Sequence, residues 1–115
     1  MEAWIIIIVA ILFIAWRMIP TKGTKTISTD TLKGMLNDKD RVFVDVRTPT
    51  EYKGRNIHQF KNIPLGSDLS KLPKDKEIVV ICQSGMRSVQ ACKKLKKLGY
   101  EKVTNVRGGM SSWRG

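Results

Sequence analysis

One cysteine in this chain stands where a nucleophile would. In Ile78-Val79-Val80-Ile81-Cys82-Gln83-Ser84-Gly85-Met86-Arg87-Ser88, an apolar β-branched run ends at Cys82 and a short loop containing Gly85 follows. A helix is expected to begin near Arg87 or Ser88. A helix N-terminus carries unpaired N–H groups and the positive end of the helix dipole. A loop curling back toward Cys82 would turn several such groups, from Gln83 through Ser88, onto one anion. Arg87 is expected to add a fixed positive charge, and together these lower a thiol pKa and make the sulfur nucleophilic. Gly85 permits the backbone angle such a loop needs. The competing reading of Cys82 is a small buried hydrophobe at a strand end.

The other candidate groups are fewer. Cys92 falls on an apolar stripe with Val89, Leu95 and Leu98 and reads as core. Two cysteines without C-x-x-C spacing make neither a disulfide framework nor a zinc knuckle, so no metal site is expected. His58 is the lone histidine. Asp45 ends a strand on the same sheet edge as Cys82, and a supporting role toward the loop is expected of it. Thr48-Pro49-Thr50-Glu51 is a capping box with Pro at the first helical position, which makes Glu51 a cap rather than a catalyst. Arg47 and Glu51 are spaced to pair locally.

The elements that must position these groups alternate. Thr24 to Ile27 is a short strand candidate, and Ser28-Thr29-Asp30 signals a helix start. Arg41 to Val46 and Lys102 to Val106 are strands by β-branched and aromatic content. Glu77 to Ile81 is almost wholly apolar, as a strand buried on both faces is. A helix from about Arg87 to Leu98, stopped by Gly99, links the last two strands. Strand-helix-strand order implies a mostly parallel central sheet in a three-layer α/β domain.

Residues Ala3 to Trp16 are apolar without a break, and extension through Ile19 gives about 26 Å of helix at ~1.5 Å per residue. Trp4 and Trp16 lie near the ends, and Arg17 can snorkel. A cleaved signal peptide fits poorly, since the chain starts Met1-Glu2 and lacks a small-residue cleavage site. The segment therefore predicts a single-pass transmembrane anchor over residues 1–20 (apolar contact through 3–19), a linker at 21–25 and a domain over 26–115. Glu2 before the span against Arg17, Lys22 and Lys25 after it places the domain on the cytoplasmic side. The formal charge of +11 suits anionic lipid, acidic partners or a merely solvated surface. Nucleic acid is disfavoured, because the few aromatics do not interleave with the basic residues.

Four segments in order resemble the rhodanese family over about 90 residues, from Thr26 to Trp113. Cys82-Gln83-Ser84-Gly85-Met86-Arg87-Ser88 looks like its C-x-x-G-x-R-S loop, and Asp45-Val46-Arg47 through Glu51-Tyr52 like its D-V-R-x-x-x-E-[YF] segment. Asn62-Ile63-Pro64 and Gly108-Gly109 followed by Trp113 resemble its N-I-P and closing G-G…W pieces. The family's G-H-I-x-G-A stretch is replaced by Gly54-Arg55-Asn56-Ile57-His58-Gln59-Phe60.

The resemblance implies a rhodanese-like fold and a thiosulfate sulfurtransferase-like activity. Cys82 would take a sulfane sulfur as a persulfide, with Arg87 as its catalytic partner. Gln83, Ser84, Gly85, Met86 and Ser88 would form the binding loop, supported by Asp45 and Arg47. It implies no metal or organic cofactor. The partners would be a small sulfane-sulfur donor and a thiol or other thiophilic acceptor, possibly a protein. Two rivals stand beside it. One is a persulfide carrier or interaction module at the membrane. The other is a cysteine-dependent phosphatase or arsenate reductase, whose C-x5-R loop is one residue longer than the four-residue gap here.

Overall fold

A computed structural model describes residues 3–18 and 24–114 of the chain. The elements, in chain order, are α1 (Ala3–Met18), β1 (Thr24–Ile27), α2 (Thr29–Lys33), β2 (Arg41–Asp45), α3 (Pro49–Gly54), β3 (Lys61–Asn62), β4 (Glu77–Ile81), α4 (Met86–Lys97), β5 (Val103–Val106) and α5 (Gly109–Ser112). The five strands form one sheet in the order β1-β5-β4-β2-β3, and every pairing is parallel.

Alternation along β4 explains the layers. Ile78 and Val80 face one side, where they meet Val44, Ala91, Cys92, Leu95 and Tyr100. Val79 and Ile81 face the other, against Leu32, Phe43, Phe60, Met110 and Trp113. Helix α4 thus covers one face, while α2, α5 and the turn at 57–60 cover the other. A strand with both faces covered has no polar side to show, which is why Glu77–Ile81 reads as a continuous apolar run. The three-layer α/β architecture expected from the element order is the one observed.

Local signals account for the element ends. Ser28 Oγ accepts the Thr31 N–H at 3.2 Å and caps α2. Thr48 and Glu51 form the reciprocal capping box of α3, with Pro49 in its first turn. Gly85, at φ +103°, turns the chain from β4 into α4, an angle that side-chain-bearing residues resist.

Several expectations need correction. Val89 is exposed; Cys92 and Leu95 face inward as expected and Leu98 packs against them, while Ser88 and Ala91 complete the buried face of α4. Strand β1 starts at Thr24, so Thr24 and Lys25 belong to the sheet rather than to a linker; 21–23 lie outside the described residues. β3 and α5, too short to show a periodicity, were not expected. The apolar N-terminus is helical, but over 16 residues from Ala3 to Met18, and Ile19 and Pro20 lie outside the described residues. Among the described residues no helix is long and apolar enough to cross a membrane. At ~1.5 Å per residue, α1 reaches about 24 Å, short of the ~30 Å of a hydrocarbon core.

Candidate active site

The register of the sheet decides what lies together. Asp45 pairs with Ile81, so β2 and β4 end at the same level, and Val46 N–H continues the ladder onto Ile81 O at 3.0 Å. Cys82 is the next residue at the carboxyl edge of a parallel sheet, where binding sites form in such folds.

The loop closes on the sulfur. Gly85 N–H donates to Cys82 Sγ at 2.9 Å, and the thiol meets Ser88 Oγ at 3.3 Å. Ser88 Oγ donates in turn to Gly85 O at 3.0 Å. A hydroxyl carries one proton. With Cys82 as a thiol, Ser88 accepts from the sulfur and donates to Gly85; with a thiolate, the same proton can rotate onto the sulfur. Burial pushes the Cys82 thiol up. The Ser88 hydroxyl and the N–H groups of Ser88, Gly85 and Ser84 outweigh that and bring it below the ordinary thiol range. Cys82 is fully buried, so bulk water does not compete for these donors, and the exposed Ser84 and Met86 form the crest above it. Among the described residues no such donor reaches Cys92: burial, with the Cys82 charge second, pushes it up to about 12. It is an inert core thiol.

The first two peptides of the loop are held by contacts that no local sequence signal assigns. Cys82 O accepts the Met110 N–H at 2.8 Å, and Gln83 O accepts the Ser111 N–H at 2.9 Å and the Ser111 hydroxyl at 2.8 Å. A peptide plane whose carbonyl is held on one side presents its N–H on the other. The first turn of α5 therefore fixes the orientation of the two peptides that follow Cys82. Gly109 allows the approach: a Cβ there would collide with the Cys82 carbonyl, and its φ is +56°. Arg55 holds α5 from the far side, donating to Met110 O at 3.1 Å and to Trp113 O. The pair Gly108-Gly109 was the available signal, but only the fold shows which backbone it touches.

Asp45 and Arg47 act as one unit. Arg47 holds both oxygens of Asp45, with Nη2 to Oδ2 at 2.8 Å and Nε to Oδ1 and Oδ2 at 3.1 and 3.0 Å, and both side chains are buried. Its Nη1 donates to Gln83 Oε1 at 3.3 Å and to Glu51 O at 3.3 Å, and its Nη2 to Arg55 O at 2.6 Å. Asp45 thus supports the loop through Arg47 rather than by touching it. Asn62 Nδ2 ties the same corner, donating to Asp45 O and Arg47 O at 3.1 and 2.9 Å. The expected side-chain pairing of Arg47 with Glu51 is not made, because the buried Asp45 carboxylate takes the guanidinium.

Arg87 also differs from expectation. It grips Glu51, with Nη1 to Oε1 at 2.7 Å and Nη2 to Oε2 at 2.8 Å, and donates no hydrogen bond to Cys82. Glu51 is therefore both helix cap and ion-pair partner. The Arg87 guanidinium, then the Thr48 N–H, holds its carboxyl at about 2. The Cys82 charge acts on Arg87 only through space, as a lesser cause than Glu51. His58 sits in an exposed turn.

The rhodanese-like domain family matches residues 28–115. The chain belongs to that family. Its rhodanese-like region is 38% identical over 91 residues to a sulfurtransferase of Allochromatium vinosum, covering 76% of this chain and 85% of that one. It is 42% identical over 95 residues to a putative sulfurtransferase of Bacillus subtilis, covering 79% and 91%. Among solved structures, a rhodanese-like domain protein of Staphylococcus aureus superposes with a TM-score of 0.70 at 34% identity, over 78% of this chain and 91% of that one. The single-domain sulfurtransferase RDL2 of Saccharomyces cerevisiae does so with a TM-score of 0.70 at 26% identity, over 83% and 92%. The rhodanese match begins after α1.

Proposed function

We propose that this rhodanese-like chain is a sulfurtransferase that carries sulfane sulfur as a persulfide on Cys82. The single observation behind the reading is the cradle itself. One buried sulfur receives N–H groups from its own loop, and its pKa lies below the ordinary thiol range. In the first half-reaction the Cys82 thiolate attacks the sulfane sulfur of a donor. The new S–S bond forms as the donor's bond to that sulfur breaks, and its electron pair leaves with the remainder of the donor. In the second half-reaction a thiophilic acceptor attacks the outer sulfur, and Cys82 departs as thiolate. The loop N–H groups and Ser88 hold the negative charge each time it returns to Sγ, so the cradle is used twice per turnover. The scheme uses no metal or organic cofactor.

The full burial of Cys82 favours a second reading within the same chemistry. A sulfur kept out of solvent suits a carrier that discharges only to a docked partner. The phosphatase reading is disfavoured, because only four residues separate Cys82 from Arg87 and Glu51 holds that guanidinium with both oxygens.

We also propose that α1 attaches the domain to a membrane from the cytoplasmic side. The large apolar side chains described from Trp4 to Ile14 are exposed, more contiguous apolar surface than a soluble monomer usually shows. The charges after the segment, Arg17, Lys22 and Lys25, support the orientation.

The deciding experiment measures sulfur transfer from a donor to a thiol acceptor by the full chain and by Cys82→Ser. Equal turnover by the two proteins would remove Cys82 from the reaction.

A further inference from the structure

Gln83 stands between the buried ion pair and α5. Its Oε1 accepts from Arg47 Nη1 at 3.3 Å, and its Nε2 donates to Ser111 Oγ at 3.3 Å. The Ser111 hydroxyl in turn donates to the Gln83 main-chain carbonyl at 2.8 Å, beside the Ser111 N–H at 2.9 Å. Arg47 and its partner Asp45 are sealed in the interior, at 2% and 0% exposure, so the first member of this series is fixed in place. Gln83 and Ser111 occupy positions that the C-x-x-G-x-R-S and G-G…W patterns leave open, so the arrangement belongs to this chain rather than to the patterns.

Donor capacity gives the series one direction. A guanidinium only donates, so the Gln83 amide must turn Oε1 to Arg47 and Nε2 to Ser111. Ser111 Oγ then accepts from that amide, and its single proton is left for Gln83 O. Each group is polarised by the donor behind it and donates more strongly in its turn. The last member is the Gln83–Ser84 peptide. Its plane is rigid, and holding the C=O on one side turns the Ser84 N–H to the other. That N–H is one of the backbone groups that lower the Cys82 pKa. The buried cation thus acts on the loop through donors in series.

We propose that Ser111 is a positioning residue for Cys82: it receives the Gln83 amide that Arg47 orients and commits its own hydroxyl proton to the Gln83 carbonyl, which fixes the peptide that turns the Ser84 N–H to the sulfur. Its part in turnover rests on the sulfurtransferase reading above; its part in holding the thiolate does not.

The test uses the full chain in detergent and compares the wild type with Ser111→Ala, Ser111→Thr, Gln83→Met and the double variant Ser111→Ala, Gln83→Met. The readout is the pH profile of iodoacetamide alkylation at Cys82, taken with no sulfur donor present. The charged groups around Cys82, Asp45 with Arg47 at the end of β2 and Glu51 with Arg87 between α3 and α4, are kept in every variant. Ser111→Ala keeps the main-chain N–H at that position and loses only the hydroxyl. Ser111 is exposed, so water takes part of its place, and alkylation below the midpoint should slow roughly threefold with the limiting rate at high pH unchanged. Ser111→Thr restores a hydroxyl and should return the profile to that of the wild type. Gln83→Met should slow alkylation in the wild-type background but not in that of Ser111→Ala, since both changes break one series of bonds. An unmoved midpoint in Ser111→Ala, a Ser111→Thr profile that matches Ser111→Ala, or effects that multiply in the double variant overturn the proposal. If Ser111→Ala does not fold, Gln83→Met decides alone, and an unmoved midpoint there overturns it. Sulfur loading from thiosulfate is followed beside the alkylation. Loading at neutral pH should slow with alkylation, and loading as fast in Ser111→Ala as in the wild type overturns the role in the reaction. A wild type that takes up no sulfur sinks the sulfurtransferase reading, while the alkylation profiles still decide whether Ser111 positions the sulfur.

Discussion

Replacing Ser88 by alanine tests the electrostatics of the cradle at one atom. The Ser88 hydroxyl is the strongest single group lowering the Cys82 pKa, and among the described residues it is the side chain within hydrogen-bond distance of Sγ. Ser88→Ala removes that hydroxyl but leaves the Gly85 N–H at 2.9 Å in place. A hydrogen bond to a charged group contributes about 1.5–3 kcal/mol. Losing that bond should raise the thiol's titration midpoint. The assay is the pH dependence of iodoacetamide alkylation at Cys82, read by peptide mass. Cys92, pushed up to about 12 in the core, serves as a silent internal reference. Well below the midpoint the alkylation rate should fall about tenfold or more, while the limiting rate at high pH stays close to that of the wild type. Circular dichroism at each pH controls for the fold. A midpoint that does not move, or that moves down, refutes the claim that Ser88 stabilises the thiolate.

Other substitutions probe the supports. Cys82→Ser should abolish sulfur transfer, whereas Cys92→Ser should leave it intact and cost stability by about 1–3 kcal/mol, measurable by urea unfolding. Arg47→Ala leaves the buried Asp45 carboxylate without its partner and should cost about 3–5 kcal/mol, so a loss under ~1 kcal/mol would contradict the network described. Glu51 is held at about 2 against a usual 4.5. A depressed carboxyl contributes stability that is full above 4.5 and is lost as pH falls through the folded value. Acid unfolding should therefore show a component between about 4.5 and 2 that Glu51→Gln lacks, below ~1 kcal/mol because the pair is partly exposed. Deleting residues 1–20 should release a folded, active domain. Lys93, Lys94, Lys96 and Lys97 should leave it a salt-sensitive affinity for anionic vesicles, and equal sedimentation with neutral vesicles at low salt would discard the lipid role.

The main strands and the tight turn after Cys82 were legible because their signals are local. Glu77–Ile81 declares burial on both faces, Ser28 and Thr48 cap their helices, and Cys82, Gly85 and Ser88 sit within seven consecutive residues. What was not legible depends on long-range choices between equivalent partners. Glu51 could pair with Arg47 four residues away or with Arg87 across the fold. The buried Asp45 decided it by taking Arg47. The same holds for α5: nothing local in Gly109-Met110-Ser111 says that its N–H groups will meet the carbonyls of Cys82 and Gln83. On α4, Val89 fits an apolar stripe by spacing, yet Ser88 is turned inward because the cysteine sulfur lies there, and this rotates Val89 to the surface.

The central claim is that Cys82 holds transferable sulfur, and intact-protein mass spectrometry followed by peptide mapping tests it most directly. The full chain is treated with thiosulfate or an alkyl hydropersulfide, freed of donor, and measured before and after addition of a thiol acceptor. The expected result is a gain of one sulfur atom confined to the Cys82 peptide and its complete loss to the acceptor. A chain that gains no sulfur, gains it at Cys92 instead, or keeps it in the presence of excess acceptor contradicts the account.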